Sequence, residues 1–146
     1  MFSPDIEYTI SNLNPRTPFL GCFPLDQLPP FPTQFPSSLI INTHKSTNSG
    51  EHWLALVFTR KKCFYFDSFG LPILEEAITE YLNPHYDVAT YSDICIQDVE
   101  SDKCGQFCIA FVTKVKSKST YNKFMSHFNP IHIRKNDVII ENLLRE

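Results

Sequence analysis

The sequence contains no apolar run near the roughly 20 residues that a transmembrane helix needs. Its first residues, MFSPDIEY, lack the basic region and apolar stretch that begin a secretory signal. Repeats and low-complexity segments are also missing. These absences predict an intracellular protein with no membrane partner.

A strong excess of either charge is also missing, because the formal net charge is -3. The charges are unevenly spread: residues 1–99 carry 5 basic and 11 acidic side chains, and residues 100–146 carry 8 and 5. Solvated helix faces explain a mild basic bias of this kind. The composition therefore neither predicts nor excludes a nucleic-acid partner.

The five cysteines do not form a recognisable framework. Their number is odd and no signal peptide is visible, so a disulfide scaffold is not expected. Cys104 and Cys108 have C-x3-C spacing, but no second pair accompanies them as a zinc site would require. We expect no metal.

What the sequence does contain is enough apolar material for one domain, residues 1–146, since 42% of the residues are hydrophobic and 14% aromatic. Most of the eleven prolines fall in residues 14–37, which predicts an extended, irregular segment packed on the body. Periodicity predicts an α+β fold. The predicted strands are 38–43, 52–58, 62–67 and 86–92, with 94–99 continuing the sheet. The predicted helices are 4–13, 72–82, 104–115, 120–128 and 136–145, the first capped by Ser3 and the last by Asn136 or Asp137.

Cys104 lies where a polar loop turns into an apolar helical stripe, so it should lie at a helix N-terminus. The unpaired N–H groups and dipole of a helix N-terminus favour an anion, which lowers the pKa of a thiol and makes it a better nucleophile. Gly105 would allow a ligand or another backbone to approach closely. The alternative is a small buried cysteine at the head of a core helix, and Cys108 is expected to be plain core.

A cysteine nucleophile needs a base, and the base needs an orienting group. His52 opens one predicted strand and Asp67 closes the next. If these strands form a hairpin, their outer ends place the imidazole beside the carboxylate. The alternatives are a surface or core histidine and a turn aspartate.

Gln97 precedes Cys104 on the loop that leads to the helix. Acyl transfer builds negative charge on a carbonyl oxygen, and a side-chain amide together with a backbone N–H can stabilise it. Gln97 and the N–H of Cys104 are candidates for these two donors. A loop glutamine without a function is the alternative.

Taken in order, "GEHWLALVF", "FYFDSFG" and "QDVESDKCGQF" resemble the adenovirus-protease (adenain) family, as does the upstream "FLGCFPLDQLP". That family shares a clan with the SUMO- and ubiquitin-like-specific proteases. The resemblance implies a papain-related fold, with a mainly antiparallel central sheet packed against a buried helix that carries the nucleophile at its N-terminus. It also implies cleavage of polypeptides, often after Gly-Gly or Gly-x-Gly-type sites, and maturation of viral or virus-like-transposon precursors inside host cells or virions.

Carried over by residue, the resemblance makes Cys104 the nucleophile, His52 the general base and acid, Asp67 the orienting carboxylate and Gln97 the oxyanion amide. Trp53 would shape a narrow channel for glycine, with core packing as its alternative. Adenovirus proteases are activated by a viral peptide, through a disulfide, and by DNA. The sequence itself requires no cofactor, and Cys95 is the candidate for such a disulfide.

Adenovirus enzymes carry glutamate at the acidic position, whereas Asp67 follows the SUMO-protease pattern. This difference keeps a second function open, an isopeptidase that removes ubiquitin or a ubiquitin-like modifier. A third is a non-catalytic binding module on the same scaffold.

Overall fold

A computed structural model describes residues 3–13, 18–43 and 52–146. Residues 44–51, between the predicted strands 38–43 and 52–58, lie outside these ranges. The strands are β1 (Phe19–Pro24), β2 (Ser37–Asn42), β3 (Trp53–Phe58), β4 (Cys63–Phe66) and β5 (Ala89–Thr90). The helices are α1 (Ser3–Leu13), α2 (Glu76–Leu82), α3 (Cys104–Lys114), α4 (Lys118–Ser126) and α5 (Asn136–Leu144), with a short 3-10 helix at Ile133–Lys135.

The five strands form one sheet in the order β1-β2-β3-β4-β5. The two pairs at the centre, β2-β3 and β3-β4, are antiparallel. Both edge strands join in parallel, β1 beside β2 and β5 beside β4. The predicted α+β class is confirmed, and the predicted antiparallel arrangement holds for the three central strands only.

Strands β3 and β4 are apolar along their whole length because both faces of the sheet are covered. On one face, Trp53, Ala55 and Val57 of β3 share a core with α1, α3, α4 and α5. On the other face, Leu54, Leu56 and Phe58 pack against α2 and the proline-rich segment. Helix α3 lies at the centre of the first core. Its buried residues are Cys104, Gly105 and the six from Phe107 to Val112.

Three strand predictions need correction. Of the predicted strand 86–92, only the two residues of β5 pair with the sheet. The proline-rich segment contains β1, an edge strand that ends at Pro24, a position where a missing N–H costs no ladder bond. Residues 94–99 are not a strand. The N–H groups of Ile96 and Gln97 both donate to one acceptor, the carbonyl of Ser68, at 2.9 and 3.1 Å, which is not a sheet ladder.

Helix boundaries also differ from expectation. Helix α2 begins at Glu76 and not near Pro72, because Glu75 is extended and its carbonyl accepts the first helical bonds. The residue before α5 is Lys135, whose side chain makes no capping bond. Asn136 instead lies fully buried, donates through Nδ2 to the carbonyls of Ile96 and Asn129, and accepts from the Asn129 N–H.

Gly70 closes the turn after β4 with a φ of +74°. A Cβ added there would lie 2.6 Å from the carbonyl carbon of Ile94, so the turn and the 94–97 segment touch backbone to backbone.

We predict that Gly70→Ala lowers the free energy of unfolding by about 2 kcal/mol or more, since left-handed strain and this clash add. Chemical denaturation measures the loss. Leu74→Ala, at a side chain that is 70% exposed, should change stability by less than about 0.5 kcal/mol; equal effects would contradict the packing argument.

Candidate active site

The hairpin of β3 and β4 brings two polar side chains to one end of the sheet. Ala55 pairs with Phe66 in the register, so His52, directly before β3, and Asp67, directly after β4, meet at the open end of the hairpin. Helix α3 packs across β3 on the face where Trp53 and Ala55 point. Its first residue is Cys104, which is thereby brought to the same end.

The three side chains form a continuous chain of close contacts. The Sγ atom of Cys104 lies 3.1 Å from His52 Nδ1, and His52 Nε2 lies 3.0 Å from Asp67 Oδ1. The same Oδ1 accepts a hydrogen bond of 2.8 Å from the Phe69 N–H, which fixes the carboxylate. The imidazole therefore bridges thiol and carboxylate.

The carboxylate determines which nitrogen of His52 carries the proton. An ionised Asp67 can only accept, so Nε2 must carry hydrogen and donate to it. In the neutral ring this leaves Nδ1 as a bare acceptor facing the Cys104 thiol. In the imidazolium, Nδ1–H donates to a thiolate. Both protonation states thus keep a hydrogen bond between ring and sulfur.

The surroundings of Cys104 favour the thiolate. The Trp53 N–H donates to Sγ at 3.2 Å, and the thiol form can donate to the Trp53 carbonyl at 3.3 Å. A hydrogen bond from the Cys108 thiol, the hydrogen bond and charge of His52 and the Trp53 N–H lower the pKa of Cys104 to about 5, against burial, which raises it. Cys108 keeps its proton, because burial and the neighbouring thiolate hold its pKa well above normal.

The pKa of His52 moves in the opposite direction. Burial lowers it, but the hydrogen bonds and charges of Asp67 and Cys104 outweigh burial and raise the pKa to about 10. The ring stacks on Phe69 with centroids 4.9 Å apart, and 23% of the side chain stays exposed. Between about pH 5 and pH 10 the pair is therefore a thiolate beside an imidazolium.

Gln97 is buried on the loop before α3, with 1% of its surface exposed. Its Nε2 donates to the Ser101 carbonyl at 3.0 Å, and its Oε1 accepts from the Ser68 hydroxyl. Ser68 is the residue after Asp67. The turn after β4 thus contacts both the histidine and the glutamine predicted from the sequence.

The other predicted residues are placed as follows. The Trp53 ring is 4% exposed within the core, as its packing alternative expected, and it is the Trp53 backbone that contacts Sγ. Gly105 is buried beside Cys104 in the first turn of α3. Cys95 is half-buried and donates to the Gln97 carbonyl. None of the five cysteines forms a disulfide bond. Within the described residues, no three His, Cys, Asp or Glu side chains gather closely enough to hold a metal ion.

Three contributors to the site were not predicted from the sequence: Ser68, Phe69 and Cys108. The helical spacing of Cys104 and Cys108 was visible, and i, i+4 neighbours touch on a helix, but the apolar stripe favoured a core role for Cys108. Nothing in the order "DSFG" indicates that Ser68 would reach Gln97, since that contact joins residues 29 positions apart.

Comparison with known proteins supports the resemblance. The sequence model of the adenovirus endoprotease family matches residues 19–89. This range includes His52 and Asp67 and ends before Gln97 and Cys104. A search of curated protein sequences finds no significant match. No helix in the described parts of the chain has the length and apolarity to cross a membrane.

We predict that iodoacetamide alkylates Cys104 at a rate that rises as pH passes about 5 and stays high at all higher pH, following the thiolate. Peptide mass spectrometry at each pH gives the rate for every cysteine separately. In His52→Ala the loss of the cation raises the pKa of Cys104, so the rise in rate should move to higher pH.

Cys22 is the internal control, because burial and the Glu7 charge raise its pKa to about 12. It should stay almost unlabelled at neutral pH in both proteins. If the rate at Cys104 follows the same pH dependence with and without His52, the ion pair is contradicted.

Proposed function

Because this chain is adenovirus-protease-like, we propose that it is a cysteine endopeptidase in which Cys104 is the nucleophile, His52 the general acid and base, and Asp67 the residue that orients His52. The observation that carries the proposal is the unbroken contact chain, 3.1 Å from Sγ to Nδ1 and 3.0 Å from Nε2 to Oδ1. Both lengths are within the reach of about 2.6–3.2 Å that proton transfer between catalytic groups requires.

Acylation begins with attack of the Cys104 thiolate on the carbonyl carbon of the scissile peptide bond. The C–S bond forms, and the carbonyl π electrons move to the oxygen. When the tetrahedral intermediate collapses, the C–N bond breaks and His52 gives its Nδ1 proton to the departing amine. The products are a thioester on Cys104 and a neutral imidazole.

Deacylation returns the site to its starting state. A water molecule attacks the thioester carbon while His52 takes one of its protons at Nδ1. Collapse of this second intermediate breaks the C–S bond and releases the carboxylic acid. Cys104 is left as thiolate and His52 as imidazolium, the forms that the lowered and raised pKa values favour at neutral pH.

The developing oxyanion in both halves of the reaction would accept hydrogen bonds from the Gln97 amide and the Cys104 N–H. The first N–H groups of a helix have no intrahelical acceptor, so that of Cys104 can serve. Gln97 uses one Nε2 hydrogen for Ser101 and carries a second. With no Cβ, Gly105 would let the substrate backbone approach the helix end closely.

For the substrate we propose viral or virus-like-transposon precursor polypeptides, cut after Gly-Gly or Gly-x-Gly-type sites, as the family resemblance implies. An activating peptide or DNA is a further proposal from the same resemblance. Peptide-cleavage assays with and without a DNA oligonucleotide test whether DNA is an activator. The use of aspartate at position 67 favours one alternative, removal of a ubiquitin-like modifier from a lysine, by the same chemistry on an isopeptide bond.

We predict that Cys104→Ala abolishes cleavage of a peptide library, measured by mass spectrometry of the products, while circular dichroism and the melting temperature stay close to those of the parent. The sulfur is the attacking atom, so no other residue can replace it. Cleavage products from the parent also give the specificity. Turnover of modifier-aminocoumarin probes without cleavage of glycine-containing peptides would favour the isopeptidase.

The matched control is Cys22→Ala, which removes a thiol from β1. It should keep parental activity. Cleavage that persists in Cys104→Ala, with products identical to those of the parent, would refute the nucleophile assignment.

We further predict that Gln97→Ala lowers kcat by about 100- to 1000-fold, as loss of one oxyanion donor does, with a much smaller change in KM. The rate of Cys104 alkylation should hardly change, because alkylation forms no oxyanion. Gln34→Ala, at an exposed position, serves as the control. A kcat within threefold of the parent would remove Gln97 from the mechanism.

A further inference from the structure

We propose that Ser68 is a positioning residue that holds the Gln97 side-chain amide in the orientation needed for oxyanion stabilisation. This inference rests on the proposed function, since it assigns Ser68 to the same reaction. Ser68 touches neither the thiol nor the imidazole in any described hydrogen bond, so its action would pass through Gln97.

The hydrogen bonds of Gln97 leave one orientation for its amide. The Ser101 carbonyl can only accept, so the atom facing it must be Nε2, and the 3.0 Å contact is a donated bond. The opposite atom is then Oε1, which accepts from the Ser68 hydroxyl. Rotating the amide by 180° would set oxygen against the Ser101 carbonyl and lose that bond, although the Ser68 hydroxyl could then accept from the NH2 group. The Ser101 carbonyl therefore selects the rotamer in which the NH2 group faces the loop before α3, and the Ser68 hydroxyl anchors the Oε1 end of the amide in that rotamer.

Ser68 also fixes the backbone from which Gln97 projects. Its carbonyl accepts the N–H groups of Ile96 at 2.9 Å and of Gln97 at 3.1 Å. One residue thus holds Gln97 by its main chain and by its side chain. Ser68 is fully buried and Gln97 is 1% exposed, so water has little access to replace a lost bond.

The far end of the amide is held as well. Ser101, whose carbonyl accepts from Nε2, donates through Oγ to Asp137 at 2.9 Å and accepts from the Lys103 N–H at 3.2 Å. Oε1 and one Nε2 hydrogen are both hydrogen-bonded. Because the amide group is planar, these two bonds fix the direction in which the second Nε2 hydrogen points. Removing the Ser68 bond leaves the Ser101 bond alone to hold the last side-chain torsion, so the direction of the second hydrogen is less closely fixed.

Ser68 directly follows Asp67, so one turn carries the residues that position two different groups of the site. The turn after β4 orients the imidazole through Asp67 and the amide through Ser68, so the proton-transfer group and the oxyanion donor share one rigid support. The close approach of Gly70 to the backbone of Ile94 keeps that turn against the 94–97 segment.

The test is a double-mutant cycle on peptide cleavage with Ser68→Ala, Gln97→Ala and the double variant. We expect Ser68→Ala to lower kcat about tenfold to a hundredfold with KM little changed, from the loss of one buried hydrogen bond. Because Ser68 acts through Gln97, adding Ser68→Ala to Gln97→Ala should lower kcat by less than threefold more. Losses that multiply would overturn the proposal.

Alkylation of Cys104 separates positioning from general damage to the site. It should proceed at the parental rate in Ser68→Ala, since it needs the ion pair but no oxyanion donor. A fall in alkylation equal to the fall in kcat would assign Ser68 a structural role only. If Ser68→Ala does not fold, Ser68→Cys keeps nearly the same volume with a weaker donor, and its kcat should fall about threefold or more below the parent; parental kcat in that variant would overturn the proposal.

The same measurements distinguish failure of the proposed function from failure of this inference. Absence of cleavage by the parent protein under all conditions refutes the endopeptidase and this inference with it. Cleavage by the parent that depends on Cys104 but is indifferent to Ser68 refutes this inference alone.

Discussion

The structure depends above all on one imidazole that joins three separate segments of the chain. His52 contacts Cys104 on one side and Asp67 on the other, residues 52 and 15 positions away in sequence. Charges on the sulfur and the ring would be costly to bury singly. Here they are adjacent, and the Asp67 carboxylate, itself held by the Phe69 N–H, balances the positive ring. The segments are stable as neighbours because each one neutralises or hydrogen-bonds the next.

Such a chain of contacts needs rigid supports, and the fold supplies them by burying the central sheet on both faces. A contact chain with links near 3 Å cannot tolerate loose elements, because an error of 1 Å breaks a hydrogen bond. Helix α3 is buried for most of its length, so the sulfur at its first residue is fixed by the core and not by a surface loop. The second apolar cluster holds the opposite face of β3 and β4.

The parts of this arrangement that could be predicted from sequence are those written in local patterns. Continuous apolar runs indicated β2, β3 and β4, and the change to helical spacing at Cys104 indicated the start of α3. The hairpin then placed His52 near Asp67 by strand pairing alone. Strand β1 was hidden by its prolines, because an edge strand tolerates them and local propensity does not reveal pairing with a distant partner. The hydrogen bond from Ser68 to Gln97 depends on a tertiary contact that no spacing rule encodes.

The loop that carries Gln97 has no ladder or helix of its own, so its geometry must come from side chains of other elements. Ser68 holds it from the sheet side. From the other side, Asn136 donates to the Ile96 carbonyl, Asp137 accepts from Ser101, and Arg134 pairs with Asp98 at 3.1 Å. All three lie at or just before the start of α5, which is therefore as much a support of the loop as the turn after β4. The side chain of Asn136 is buried, and a buried amide is costly unless its polar atoms are hydrogen-bonded. Its hydrogen bonds join Ile96 to Asn129, and they hold the loop against the start of α5. No described hydrogen bond joins α5 to the thiol, yet the start of α5 fixes the loop from which the oxyanion amide would act.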